Sequence, residues 1–554
     1  MFKTSLTAIA FLAISQSATA QVPVGAAGQM QQIPPAPKTD QAAPEVRIEK
    51  APPAVRADTG GAKIPVVALH VTGATVFSEA ELIATTGFKP GADLDLNDLR
   101  DLAGRIAAHY NAHGYFLAQA YLPAQDVRNG VVTIAVAEGR YGAISLRNDA
   151  HLSNGVIHGV LDGLDSGDLV ASAPLERRLM LLSDLPGVEV KSTLSPGAAI
   201  GTSDLIIDLA PGRRITGGLE ADNAGNRYTG AYRAGALVNF NNPTGRGDQA
   251  SLRVLTSTSG LGYARAAYQA PIGVATVGVA YAHIHYELGK EFKSLGANGE
   301  SDVASLFVSY PLIRSRNSNL NAVANLDARR FVDRVDLFDA RTRRDALALT
   351  LGLDGDHRDA FGGGGWTSYS LAWTTGDLDI KTPATLAADR ATARANGGYS
   401  KLSASVARLQ TVSGPLSLYG AVRGQIASKN LDTSEKMELG GAYAVRAYPE
   451  GEAYGDQGYV ATAEARLMLP KPGGLPGRIQ LIGFVDVGSV SLTKDPWFLG
   501  RNHADRSGYG VGLTWVSNDD FVIRVSHARK LGDDDATSAP DRSGRTWVQL
   551  SKLF

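Results

Sequence analysis

Apolar and polar positions alternate with period two in short stretches across residues 213–554, with Gly, Asn, Asp and Pro between the stretches. Tyr459, Ala461, Ala463, Ala465 and Leu467 fall on one side of a predicted strand, with Val460, Thr462, Glu464 and Arg466 on the other. Tyr369, Leu371 and Trp373 alternate in the same way with Ser368, Ser370 and Ala372. Ala280, Ala282, Ile284, Tyr286 and Leu288 do so with Tyr281, His283 and His285. An apolar outside and a polar inside at this period is the pattern of a barrel in lipid. On that reading the Ala280 series faces lipid, and His283 and His285 face the lumen. At roughly 9–11 residues per spanning strand, plus turns, the stretch has room for about sixteen strands. The chain ends in one more alternating strand, Trp547, Gln549 and Ser551 against Val548, Leu550 and Phe554, and a terminal aromatic is usual for outer-membrane barrels.

The periodicity before residue 213 is different. In residues 63–140, Val66 to Val71 alternates as a strand and Ser78 can cap a helix carrying Leu82 and Ile83. Leu99, Leu102, Ile106 and Tyr110 lie on one face of a second helix that Gly114 ends. Phe116 to Leu122 and Val131 to Ala137 follow as strands, joined by a turn containing Asn129-Gly130. Residues 141–212 repeat this β-α-α-β-β order more loosely, with helices over Val156 to Leu164 and Leu175 to Leu185 and strands over Tyr141 to Arg147, Val188 to Leu194 and Asp204 to Leu209. Two like units in tandem suggest a modular arm. Residues 21–62 are rich in Pro, Ala and Gln and read as an extended linker, within which Gly28 to Ile33 is a candidate segment for docking elsewhere, as a plug of the pore. Residues 1–20 read as a cleaved signal peptide: Lys3 supplies the charge, Leu6 to Ile14 the apolar core, and Ala18-Thr19-Ala20 the cleavage site.

Composition narrows the function. Lys+Arg 54 against Asp+Glu 55 gives a net charge of -1 and no reason to expect nucleic acid. Cys is absent, which excludes disulfides, Cys-based metal sites and thiol nucleophiles. His283 and His285 have no recognisable third metal ligand nearby, Asp533-Asp534-Asp535 reads as a solvated loop, and Gly362 to Gly365 lacks the Lys-Ser/Thr of a phosphate loop. No nucleophile stands beside an obvious base. The expectation is a protein without catalytic residues, metal or cofactor.

Several blocks resemble one family, the outer-membrane transporters of two-partner secretion, which include the haemolysin and filamentous-haemagglutinin transporters. The two β-α-α-β-β units look like POTRA domains, the second through PLERRLMLLSDLPGVEV and TSDLIIDLAPG. ADNAGNRYTGAYRAGALVNFNNPTGRGD is similar to the family's first barrel hairpin, through Asp222-Asn223, Gly225, Thr229-Gly230, Arg233, Asn242-Pro243 and Gly247-Asp248. VSYPLIRSRNSNL resembles a later barrel strand. LGGAYAVRAYPEGEAYGDQGY resembles the Val-Arg-Gly-Tyr/Phe tip of the sixth loop, through Val445, Arg446 and Tyr448. Ala447 replaces the motif's glycine, and an αL conformation there would cost Ala more than Gly, so a slightly different tip geometry is expected. GFVDVGSV resembles the Phe-x-Asp-x-Gly motif through Phe484, Asp486 and Gly488.

The resemblance implies a transmembrane antiparallel β-barrel of about 16 strands preceded by two α/β POTRA domains. It also implies that Arg446 pairs with Asp486 inside the barrel, holding the loop to the wall, and that Phe554 serves as the C-terminal assembly signal. The expected function is to recognise an unfolded exoprotein in the periplasm and translocate it to the cell surface. The expected partners are a large exoprotein with an N-terminal secretion domain, outer-membrane lipid and the barrel assembly machinery. An assembly factor of the same superfamily is the alternative, and two POTRA units argue for secretion over it. A diffusion porin would not need the arm.

Overall fold

The computed structural model describes residues 25–36, 44–48, 62–199, 201–471, 473–474 and 476–554. The signal-peptide expectation for residues 1–20 and most of the linker lie outside them. The described residues divide into two compact units, one formed mainly by residues 44–48 and 62–213 and the other by residues 25–36 with the barrel.

In the first unit, β1 (Glu45–Ile48) comes from the linker. The first α/β module follows, with β2 (Ile64–Val66), β3 (Ala68–Thr72), β4 (Ala92–Leu94), β5 (Gln119–Tyr121) and β6 (Val131–Ala137). Its helices run over Glu79–Thr86 and Leu96–Ala112. Ser78 caps the first of them, and Asp95 and Asp98 form a capping box on the second. Leu82, Ile106, Tyr110, Val66 and Ile134 are fully buried between helices and sheet. The second module has β7 (Arg140–Asn148), β8 (Val188–Pro196) and β9 (Thr202–Pro211), with helices over Asn154–Leu161 and Ser172–Ser183 burying Ile157, Leu179 and Leu182, while Leu194, Leu205 and Ile207 are buried on the sheet. Its sheet runs β1-β8-β9-β7, so the linker strand adds in parallel to the edge of β8, Glu45 beside Lys191 through Ile48 beside Leu194.

One buried carboxylate braces the first module. Glu138 accepts from Thr75 N at 2.6 Å, Thr75 Oγ1 at 2.5 Å, Val76 N at 2.9 Å and Tyr110 Oη at 2.9 Å. Burial pushes its pKa up, but the bonds from Thr75, Val76 and Tyr110 outweigh burial and hold it below the ordinary 4.5. This stabilisation is therefore present in full above the unfolded value and is lost as pH falls through the folded one. Glu138→Ala is expected to cost about 3 kcal/mol at neutral pH, because four donors lose a charged acceptor. Amides of β3 and β6 should then exchange roughly two orders of magnitude faster in the full chain, with a flatter dependence on acid pH. Unchanged exchange would remove Glu138 from the account.

The second unit is a closed antiparallel barrel of sixteen strands. The first six are β10 (Ile215–Asp222), β11 (Arg233–Asn241), β12 (Gln249–Ser257), β13 (Leu261–Ile272), β14 (Ala275–Glu287) and β15 (Ala297–Arg314). Then come β16 (Ser318–Val335), β17 (Ala340–Asp359), β18 (Gly365–Ile380), β19 (Gly397–Ser413) and β20 (Leu416–Ala427). The sixth of the eight connections at one end of the barrel, between β20 and the next barrel strand, is long and carries a small hairpin, β21 (Met437–Glu438) and β22 (Tyr454–Gly455). The last five are β23 (Gln457–Met468), β24 (Arg478–Ser491), β25 (His503–Val516), β26 (Phe521–Lys530) and β27 (Gly544–Leu553). Gly218 to Asp222 of β10 pair with Gln549 to Leu553 of β27 and close the ring. Leu219, Leu252, Leu371, Trp373, Ile426, Tyr459 and Val511 stand exposed on the outer face, an apolar belt suited to hydrocarbon. No helix among the described residues is long and apolar enough to cross a membrane.

The face assignment on β14 is a correction. Ile284 and Tyr286 are buried toward the bore, while Tyr281 is half exposed on the outside, on the same face as His283 and His285. The apolar face is covered by α1 (Ala26–Gln31), whose Ala26 and Ala27 are fully buried against Ile284, Tyr286, Phe331 and Leu378. Alternation alone cannot tell lipid from a plug as the cover for an apolar face. Gly28 to Ile33, the candidate docking segment, thus falls on and just after a helix lodged inside the barrel.

Candidate functional site

The sixth connection, residues 428–456, folds back into the bore and brings Arg446 to the wall at β23 and β24. Period two sets the wall: Thr462 and Glu464 on β23 and Phe484 and Asp486 on β24 all point inward, with Thr462 beside Asp486 and Glu464 beside Phe484 in register. Arg446 Nε donates to Asp486 Oδ2 at 2.8 Å and Nη2 to Oδ1 at 2.7 Å, a fork on a carboxylate. Arg446 N adds a bond to the same Oδ2 at 3.2 Å, and Thr462 Oγ1 donates to Oδ1 at 2.9 Å. Nη1 reaches Glu464 at 2.9 Å, which Arg466 also meets at 2.7 Å. The guanidinium stacks 3.4 Å from the centre of the Phe484 ring, and Trp547 Nε1 donates to Arg446 O at 2.7 Å. Asp486 is 0 % exposed, so every acceptor site it offers is filled from the protein.

The other motif positions shape this contact. Val445 is fully buried, and its N donates to Leu439 O at 3.1 Å. Tyr448 is buried under Arg506, 5.0 Å from its ring, and donates to Asp534 O at 3.1 Å. A Cβ on Gly488 would stand 2.5 Å from Leu439 Cδ1 and 2.9 Å from Tyr459 O, so glycine admits the loop. Ala447 has no positive φ, and the expected αL cost does not arise. What this position requires is closeness: a Cβ on Gly508 of the facing wall would come within 2.5 Å of Ala447 Cβ, so the wall glycine makes room for the loop alanine. Phe554 lies at the seam, exchanging backbone hydrogen bonds with Gly217 at 2.9 and 3.1 Å.

Several loop anchors were missed by sequence reasoning. Glu452, 0 % exposed, accepts from Arg506 Nη2 at 2.7 Å and Nε at 3.1 Å, and from Thr537 N and Ser538 N at 2.9 Å each. This ties the sixth connection to the eighth, residues 531–543. Asp456 pairs with Lys436 at 2.9 Å, Glu435 with Lys401 at 2.8 Å and with Arg329, and Asp432 with Arg344. A signal existed: Glu450, Glu452 and Asp456 all lie in the block that carries Arg446, and buried carboxylates need cations. Wall cations spaced far along the chain leave no local signature. Glu452→Gln is expected to loosen both loops, raising protease cleavage within 428–456 and 531–543 severalfold on intact cells while the barrel stays assembled. Equal cleavage would show that the Arg506 contact is incidental. His283 pairs with Asp302 at 2.9 Å, and no group of side chains among the described residues could hold a metal ion.

Residues 201–514 match the family described as "Haemolysin secretion/activation protein ShlB/FhaC/HecB", and residues 64–139 match "POTRA domain, ShlB-type". The heme/hemopexin transporter protein HuxB of Haemophilus influenzae (strain 86-028NP) is 29% identical over 476 residues, covering 84% of this chain and 82% of HuxB. The structure of CdiB from Escherichia coli superposes with a TM-score of 0.71 at 21% identity over 91% of this chain and 93% of its own. CdiB from Acinetobacter baumannii gives 0.63 at 20% identity over 99% and 97%. This chain is an outer-membrane transporter of two-partner secretion, with its POTRA domains in the periplasm. The chain belongs to the ShlB/FhaC/HecB family of haemolysin secretion/activation proteins.

Proposed function

We propose that the chain captures one exoprotein in extended form through a secretion domain at the exoprotein's N-terminus, and threads it through the barrel without covalent chemistry. The addition of β1 to β8 carries this reading: it is an extended segment held by main-chain hydrogen bonds on a POTRA edge, the mode an unfolded client would use. Side chains only tune such binding, which suits a client that arrives before it folds. The bore supplies the next step. Ser370, Thr374, Ser405 and Thr462 line its inner wall by alternation, giving polar surface against which a peptide backbone stays solvated. Folding of the exoprotein outside would bias its movement outward, since no nucleotide exists in the periplasm.

In this reading Arg446, Asp486 and Glu464 hold the sixth connection as a positioned gate, and Phe554 presents the C-terminal strand to the barrel assembly machinery. HuxB is a heme/hemopexin transporter protein by name. The cargo in this reading is a single dedicated protein, with no nucleic acid involved. Deleting the gene should abolish surface delivery of the exoprotein encoded beside it and leave the levels of other outer-membrane barrels unchanged. Loss of many barrels together would point to an assembly factor and overturn the reading.

A further inference from the structure

The bore already holds a short non-helical stretch of polypeptide, gripped by its main chain. After α1 the chain runs through Gln32, Ile33, Pro34 and Pro35 along the inner face of β11 and β12. Arg233 Nη1 donates to Gln32 O at 2.7 Å. Arg253 Nη1 donates to Pro34 O at 2.8 Å and its Nη2 to Pro35 O at 3.3 Å. Neither arginine reads a side chain of the segment. Each is aimed from β10: Asp222 takes Arg233 Nε at 2.9 Å and Nη2 at 3.2 Å, and Glu220 takes Arg253 Nη2 at 2.7 Å. The carboxylates fix two planar forks and leave one Nη1 of each facing the bore. Both arginine side chains are more than nine-tenths buried.

The bound carbonyls of Gln32 and Pro34 are two residues apart. Gln32 closes α1 in an αR conformation and Pro34 and Pro35 follow without regular structure, so the arginines bind carbonyl oxygens wherever the chain presents them and not one strand register. A prolyl segment is also the ligand that a donor-only site fits best, because proline has no N–H to leave unpaired. Across the ladder from Arg253 stands Arg265 of β13, which makes no hydrogen bond among the described residues and extends the row of donors.

We infer that Arg233 and Arg253, aimed by Asp222 and Glu220 and continued by Arg265, form a main-chain track for the exoprotein. Residues 32–35 occupy it in the resting state, and the translocating chain takes their place. Every residue has a carbonyl, so the track accepts any unfolded sequence and releases it one carbonyl at a time. This rests on the secretion reading above and adds where inside the bore the exoprotein is held.

The test uses the full-length transporter in cells that make the exoprotein. A photo-crosslinking residue is placed at Tyr263, whose ring lies 6.0 Å from the Arg253 guanidinium, or at Ser370 on the distant wall. The exoprotein is stalled in transit by a folded domain at its C-terminus. Crosslinks at Tyr263 should dominate, and Arg253→Gln should lower them, together with secretion, by about tenfold, the weight of one charge-assisted hydrogen bond. Glu220→Gln, which keeps Arg253 but removes its aim, should give a smaller loss of the same kind. Crosslinks through Ser370 with none through Tyr263 would overturn the track and leave secretion standing. So would an Arg253→Gln variant with freed plug residues but wild-type crosslinks and secretion. Absence of exoprotein crosslinks at both positions would overturn passage through the bore itself, and the track with it.

Discussion

Arg446→Ala should lower exoprotein delivery to the surface by about a hundredfold or more, the scale of losing one partner of a buried ion pair at roughly 3–5 kcal/mol, while a heat-modifiable barrel still assembles. The substitution strips two bonds from Asp486, a carboxylate with 0 % exposure, and leaves it only Thr462 and the loop backbone. It also takes one cation from Glu464, which keeps Arg466. The barrel survives because its closure lies in sixteen paired strands and not in the loop. Asp486→Ala should act in the same direction but more weakly, since Arg446 would still hold Glu464 at 2.9 Å and stack on Phe484. The double variant should resemble Arg446→Ala alone, because both changes remove one shared interaction. Exoprotein in the medium, quantified against barrel level by electrophoresis with and without heating, checks all three. Wild-type secretion in both single variants would remove the pair from the mechanism.

The pair was legible because each half lies in a contiguous block with a recognisable spacing, Val445-Arg446 with Tyr448 in one and Phe484, Asp486 and Gly488 in the other. The sixteen strands were legible too, since most of their outward residues are apolar over the whole span. What escaped was whatever depends on the bore's contents. α1 is six residues, AAGQMQ, too short to show helical periodicity, and its burial comes entirely from the wall. That same burial inverted the reading of β14: Ile284 and Tyr286 are apolar because a plug covers them, and His283 and His285 are polar although they face outward. The strand addition of β1 was likewise hidden, because four residues in a Pro-rich linker carry no strand signal until an edge such as β8 is offered. Glu464 and the Glu452–Arg506 pair follow the same logic, as inward charges whose partners are chosen by the ring's closure and the loop's return.

Removing residues 25–33 should turn a closed barrel into a persistently open one, with conductance in planar bilayers rising severalfold and cells becoming sensitive to large antibiotics that the outer membrane normally excludes. α1 spans about 9 Å at 1.5 Å per residue and is roughly 10 Å wide, so it occupies a substantial volume inside the bore. Its hold combines two kinds of contact. Ala26 and Ala27 cover an apolar patch formed by Ile284, Phe331 and Leu378, while Ala26 N donates to Asp333 Oδ1 at 2.8 Å and Gln31 Nε2 to Thr433 O at 2.8 Å. The second bond reaches the sixth connection, and Arg344 bridges Asp333 to Asp432 of the same loop, so plug and loop share one set of anchors. Asp333→Ala should therefore give intermediate behaviour, with brief openings in place of a permanent one, because the apolar contact remains. The order deletion, then Asp333→Ala, then wild type in open probability is the expected result. Equal conductance in all three would mean that the sixth connection closes the bore unaided and that α1 is a passenger.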